Sequence, residues 1–123
     1  MYDVIIAGAG PTGSAAARFC AKAGLSTLVL EEHAAIGYPV QCAGLLSNSA
    51  FAECGVSDRS VLNTVRGARI CGSVGHELSF TAKETKAYVV DRGRLDHDMA
   101  VRAADAGAIF SLTTCWTGIN PEK

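Results

Sequence analysis

Several function classes are excluded by what this chain has little of. Lys and Arg number 11 against 12 Asp and Glu, for a formal net charge of -1. There is therefore no basic field of the kind that holds nucleic acid or anionic lipid. Five cysteines occur, Cys20, Cys42, Cys54, Cys71 and Cys115, an odd count without a C-x-x-C pair. That argues against both a disulfide framework and a zinc site, and a reduced, cytoplasmic setting is expected. His33, His76 and His97 lack ligand-like spacing, so no metal is assigned. Neither a Ser-His-Asp arrangement nor a carboxylate pair is visible, which leaves hydrolase chemistry without support. The start runs directly into Asp3-Val4-Ile5-Ile6, without the basic segment that opens a signal peptide. Charge-free stretches are broken by Gly and Pro and fall short of a membrane span, so an integral segment is not expected. Peripheral membrane association stays open.

What is present suits one α/β domain. Of 123 residues, 49% are hydrophobic and 19% charged, enough to bury a core. Val4 to Ala7 is a short apolar run, as in a buried parallel strand. The turn Gly8-Ala9-Gly10-Pro11-Thr12-Gly13 follows, and Ser14 to Ala23 reads as a helix with Phe19 and Cys20 on its packing side. Gly24 supplies a left-handed stop. Thr27 to Leu30 is a second strand, ending in Glu31 and Glu32, so residues 1–32 form a βαβ unit. Residues 33–48, with Gly37, Pro39 and Gly44, read as a long loop of the functional kind. Residues 49–123 read as a small antiparallel β layer and a second helix. In it, Ser49 to Cys54 is a short helix closed by Gly55, and Val65 to Cys71, Glu77 to Phe80 and Tyr88 to Val90 are strands. Gly72 to Gly75 is the turn between the first two strands. Asp91 is placed as the cap of a helix with the apolar stripe Leu95, Met99, Ala103 and Ala106, stopped by Gly107. Ala108 to Leu112 and Cys115 to Ile119 read as further strands.

Gly8-x-Gly10-x-x-Gly13 follows a predicted strand and opens a predicted helix, and Glu31 lies eighteen residues beyond Gly13 at the end of the next strand. That context marks a dinucleotide-binding fingerprint. Gly8 permits the tight turn, Gly10 lets a pyrophosphate approach the backbone, and Gly13 lets the helix pack on the strands. The helix start then attracts phosphate through its free N–H groups and dipole. Glu31 is placed to accept hydrogen bonds from the adenosine ribose; with Glu32 beside it, a 2′-phosphate is disfavoured. The fingerprint's position near residue 1 and the long loop after the second strand favour FAD over NAD.

The opening Asp-Val-Ile-Ile-Ala-Gly-Ala-Gly-Pro-Thr-Gly-Ser resembles that of the p-hydroxybenzoate-hydroxylase-like flavoproteins. The segment from Gly37-Tyr38-Pro39-Val40-Gln41-Cys42 to Ser47 resembles the cysteine loop of the geranylgeranyl reductases. Tyr88 to Asp96, continuing to Ala108, is similar to that family's following block. The resemblance covers the first part of a family member only. It implies FAD-dependent reduction of C=C bonds in polyprenyl chains, such as the geranylgeranyl groups of archaeal ether lipids. A prenylated lipid substrate and an electron donor of unspecified class are the implied partners. It also implies that Thr12 and the glycine turn meet the pyrophosphate, and that Cys42, Ala43, Gly44 and Leu45 lie along the flavin. Arg92 is implied to donate hydrogen bonds to FAD, and Trp116 to sit beside the adenine where the family places a small aliphatic residue. His97 stands where arginine is common, on an exposed helix face.

The same residues have plainer readings. Cys42 alone would be a small buried hydrophobe, and Arg92 a helix-face charge. Cys20, Cys54, Cys71 and Cys115 read as core fillers. Flavoproteins of the resembled architecture hold FAD with a second, downstream segment bearing a Gly-Asp pair, and no Gly-Asp dipeptide occurs here. The expectation is an FAD-binding portion without that segment or a substrate domain, with open strand edges, weak FAD binding or none, and no lipid reduction alone. Three classes remain: a prenyl-reductase portion, a portion of a monooxygenase, halogenase or cyclase of the same fold, and a non-catalytic nucleotide-binding module.

Overall fold

The computed structural model describes residues 1–119; residues 120–123, taken into the expected FAD-binding portion, lie outside the described residues. In chain order the elements are β1 (Val4–Ala7), α1 (Pro11–Lys22), β2 (Thr27–Leu30), β3 (Leu45–Ser47), α2 (Asn48–Cys54), β4 (Val61–Val65), β5 (Gly67–Cys71), β6 (Glu77–Thr81), β7 (Ala87–Val90), α3 (Arg92–Asp105) and β8 (Ile109–Ser111). They divide into two compact units, residues 1–41 with 93–119, and residues 42–92. The boundary differs from a division at residue 48, because the body of α3 and β8 group with the βαβ unit. Among the described residues no helix is long and apolar enough to cross a membrane.

The first unit is built on a parallel sheet in the order β1-β2-β8. β2 is central, in register with β1 from Val4↔Thr27 to Ala7↔Leu30 and with β8 from Leu28↔Ile109 to Leu30↔Ser111. Alternate β2 residues, Thr27 and Val29, are fully buried, as a covered sheet face requires. Ala9, Ala17, Val29, Ala103 and Ala108 make a core cluster, with Ile6, Ala21, Ile36 and Phe110 packed against it. These small side chains let helix and strand backbones approach closely. On α3, Leu95, Met99 and Ala103 are buried as the periodicity predicts; Ala100 joins them and Ala106 is only half-buried.

Two expectations for α1 need correction. The helix begins at Pro11, not Ser14, because proline at the first helical position supplies a preset φ and lacks only an N–H that the helix cannot use. Phe19 is 66% exposed and does not pack. Ser14, Ala17 and Ala21 fall on one stripe at i, i+3 and i+7, and Phe19, two residues from Ala17, lies on the far side.

The strand expected over Cys115 to Ile119 is absent. After β8 the chain turns at Thr113, φ 52°, and the N–H groups of Thr113 and Thr114 donate to the carbonyls of His33 (3.1 Å) and Glu31 (2.8 Å). Those bonds fold the segment back over the end of β2, so no ladder forms.

The second unit is antiparallel. One sheet has the order β3-β7-β4 and a separate hairpin pairs β5 with β6. β3 corrects the end of the expected loop, and β4 is a strand that the pattern did not disclose. Its register with β7 slips between Val61 and Asn63, a bulge that hides the alternation. Val65 belongs to β4 and only Gly67 onward to β5, so the single strand expected over Val65 to Cys71 is two strands in two sheets. α2 is closed by Gly55 at φ 62°, as expected, and Ser47 Oγ caps its start by accepting from Ala50 N–H (3.1 Å). Phe51 of α2 packs on Tyr88 of β7 at 4.9 Å between ring centroids. The β5-β6 register places Ala68 opposite Phe80 and Ile70 opposite Leu78 on one face. The other face carries Arg69 and Glu77, 3.4 Å apart. Ile70, Leu78 and Phe80 are all exposed.

Candidate nucleotide-binding site

The glycine turn is held by its own backbone. Gly8, at φ 97°, donates its N–H to Leu30 O (2.8 Å), tying the end of β1 to β2. Ser14 is buried; its N–H donates to Gly10 O (2.9 Å) and its Oγ to Ala9 O (3.0 Å). A Cβ on Gly13 would run into the Gly8 carbonyl oxygen, so that position admits only glycine. A Cβ on Gly8 or Gly10, by contrast, would meet nothing within 4 Å, so the outer surface of the turn is open. Pro11 has no N–H, and among the described residues no acceptor receives the N–H of Thr12 or Gly13. Those two donors head α1, where its dipole favours an anion. The turn therefore fits a phosphate group.

Glu31 lies just past β2 and is mostly buried. Oε2 accepts the Ala9 N–H (2.8 Å), and Oε1 accepts the His33 N–H (3.0 Å) and lies 2.7 Å from His33 Nδ1. Burial pushes the carboxyl up, but the hydrogen bonds from Ala9 and His33 outweigh it and hold the group below its ordinary value. It stays a carboxylate at neutral pH. A cavity of about 270 Å³ opens beside it, lined by Ala7, Gly8, Leu30, Glu31, Glu32, Thr114, Cys115 and Trp116. Its wall is a half-exposed indole and its floor the backbone where β1 meets the glycine turn. Two acidic side chains, Glu31 and Glu32, a flat aromatic surface and an adjoining pair of free N–H donors suit the ribose, base and phosphates of an adenine nucleotide.

The structure thus gathers Gly8, Glu31 and Trp116 around one cavity, with Gly10, Thr12 and Gly13 in the adjoining turn. Cys42, Ala43, Gly44, Leu45 and Arg92 lie in the second unit. There Cys42 is exposed and Gly44 N–H donates to its Sγ (3.5 Å), so the plain reading of a buried hydrophobe is corrected. Gly44, at φ 71°, sits so close to the Val90 carbonyl that a Cβ there would collide with it, and its own carbonyl accepts from Val90 N–H (2.9 Å). This fixes the loop at the head of β3. Leu45 is exposed and Arg92 is the half-buried first residue of α3. Cys71 and Cys115 are likewise exposed and are not core fillers. Sequence reasoning missed His33, Thr114 and Cys115. The Glu31-x-His33 spacing was a signal for the first, because a two-residue step in a turn brings both side chains together; nothing local pointed to the others.

A βαβ unit with this turn and a carboxylate at the end of its second strand defines a dinucleotide-binding domain. The sequence matches the FAD binding domain family over residues 1–120, and the chain belongs to that family. It is 42% identical over 114 residues to the digeranylgeranylglycerophospholipid reductase of Thermoplasma acidophilum, an alignment covering 87% of this chain and 28% of that protein. Among solved structures it is similar to a geranylgeranyl bacteriochlorophyll reductase-like protein of Thermoplasma acidophilum, with a TM-score of 0.89 and 35% identity over 98% of this chain and 32% of the other. The myxobacterial chondrochloren halogenase CndH, an FAD-dependent halogenase, matches with a TM-score of 0.73 and 25% identity over 91% of this chain and 28% of its own. The chain spans about three-tenths of the length of these relatives.

Proposed function

We propose that this chain supplies the adenosine- and pyrophosphate-holding part of an FAD-dependent reductase that saturates C=C bonds of geranylgeranyl chains in a lipid. The carrying observation is the convergence of Gly8, Glu31 and Trp116 on one cavity beside the free N–H groups of Thr12 and Gly13. Reduced FAD, when bound, would supply hydride to one carbon of such a bond and be oxidised, with a proton reaching the other carbon.

The chain's own residues bind and orient. Thr12 and Gly13 donate to the pyrophosphate, the Glu31 carboxylate accepts from the ribose, and Trp116 offers an apolar face to the adenine. Glu32 adds negative charge that opposes a 2′-phosphate. In the second unit, Cys42, Ala43, Gly44 and Leu45 form a fixed loop toward the flavin, and Arg92 donates to the cofactor. Cys42 has no redox role in this reading, because positioning alone uses its contact with Gly44. A prenylated lipid substrate would bring the working protein to a membrane surface.

The likeness to reductases, stronger in both identity and TM-score than that to the halogenase, supports the prenyl substrate. A chimera tests it: this chain replaces the matched N-terminal part of the Thermoplasma acidophilum reductase, and geranylgeranyl lipids are followed by mass spectrometry. Mass gains in steps of two hydrogens are expected. A chimera that folds and retains FAD but leaves the lipid unsaturated sinks the reductase reading.

A further inference from the structure

The donor count at Glu31 restricts how the ribose can be read. Each carboxylate oxygen accepts about two hydrogen bonds along its lone-pair directions. Oε1 already has two donors, the His33 N–H at 3.0 Å and the imidazole Nδ1 at 2.7 Å. Oε2 has one, the Ala9 N–H at 2.8 Å. One acceptor position therefore remains, and it is on Oε2. His33 is not among the residues that line the cavity. It is also fixed in place, since its carbonyl accepts the Thr113 N–H (3.1 Å).

We propose that His33 is a positioning residue that saturates Glu31 Oε1, so that the carboxylate accepts only one of the two adenosine ribose hydroxyls. This rests on the reading that Glu31 faces the ribose. A carboxylate without such a neighbour would present both oxygens and could take both hydroxyls in a bidentate grip. Here the second oxygen is held by an internal donor whose imidazole is a residue-specific choice. The remaining hydroxyl is left to water or to another group.

The test uses ADP, 2′-deoxy-ADP and 3′-deoxy-ADP as probes, titrated calorimetrically into the whole chain and its variants. In the unaltered chain, loss of one hydroxyl should weaken binding about tenfold, as for a hydrogen bond to a charged acceptor. Loss of the other should change it less than about twofold. His33→Ala removes the Nδ1 donor but keeps the backbone one, which opens one acceptor position on Oε1, so both deoxy analogues should then bind weaker than ADP. His33→Asn, whose amide nitrogen can stand where Nδ1 does, should keep the one-hydroxyl pattern and serves if the alanine variant does not fold. Equal penalties for both hydroxyls in the unaltered chain overturn the inference while leaving the nucleotide site intact. So does a pattern that His33→Ala does not change. An unaltered, folded chain that does not bind ADP at all removes both the inference and the reading beneath it.

Discussion

The two units of this chain reach order by different means. In the parallel unit, β2 has a neighbour on each side, and Val29, Ala17, Leu95 and Ala103 are fully buried. In the antiparallel unit only Gly44, Ser60 and Val90 are buried, and β6 is exposed along its whole length. The first unit is held by packing and the second mainly by strand pairing, caps and one aromatic contact. The lesson is about where a ligand site can be precise. A carboxylate and two backbone donors can be held to a fraction of an ångström when the strands carrying them are locked by a close-packed core. A loop such as Cys42–Leu45 depends instead on local devices, here the Gly44 backbone and a sulfur acceptor.

Substitutions can break or sharpen that contrast. The largest effect is expected for Gly13→Val, whose side chain must displace the Gly8 backbone. ADP binding should vanish in titration, with a loss of about 5 kcal/mol or more in urea unfolding. Next, Leu95→Ala should cost about 2–5 kcal/mol, because it empties a fully buried site. Leu78→Ala, on the open face of the β5-β6 hairpin, should stay within about 0.5 kcal/mol. Similar losses at the two leucines would erase the distinction between the units. Within the antiparallel unit, Ser47→Ala removes the cap on Ala50 N–H and should cost about 1 kcal/mol. Hydrogen exchange should localise that loss to α2.

The smallest expected effect is on pH dependence. The Glu31 carboxyl is held below its ordinary value in the fold, so the stabilisation it gives is present above the ordinary carboxylate range. It is lost as pH falls through the lowered value. Glu31→Gln should therefore be less stable than the unaltered chain at neutral pH, with the difference shrinking on acidification through that range. A difference that is flat with pH would show that the carboxylate's charge contributes nothing to the parallel unit.

The same contrast explains what the sequence disclosed. β1, the glycine turn and β2 were legible because each is specified locally, by an apolar run, by glycines at fixed steps and by an acidic stop. The α3 stripe was legible because a long helix repeats its period several times. Phe19 was misplaced because its size suggested burial while the alanines, at the correct phase, formed the seam. β4 escaped because the bulge at Leu62 breaks the two-residue alternation. The strand expected over Cys115 to Ile119 failed for a nonlocal reason: whether that segment pairs depends on the carbonyls of Glu31 and His33, which no window around Trp116 contains. Of the site, Gly8, Gly13 and Glu31 could be read directly. Trp116 was placed with them only through the family resemblance, and the fold lines one cavity with it, Gly8 and Glu31.

The turn after β8 also sets an order of events during synthesis. Cys115 Sγ lies 3.8 Å from Glu32 Oε2, yet the two residues are 83 positions apart in the chain. The glycine turn and β2 leave the ribosome early, but the cavity has only one wall until residues 114–116 have followed and β8 has docked beside β2. Closing so long a loop is slow relative to forming the local hairpins of the other unit. A nucleotide that needs both walls therefore binds late and stabilises only chains whose parallel sheet is already assembled. Bound ligand would then report that this sheet has assembled.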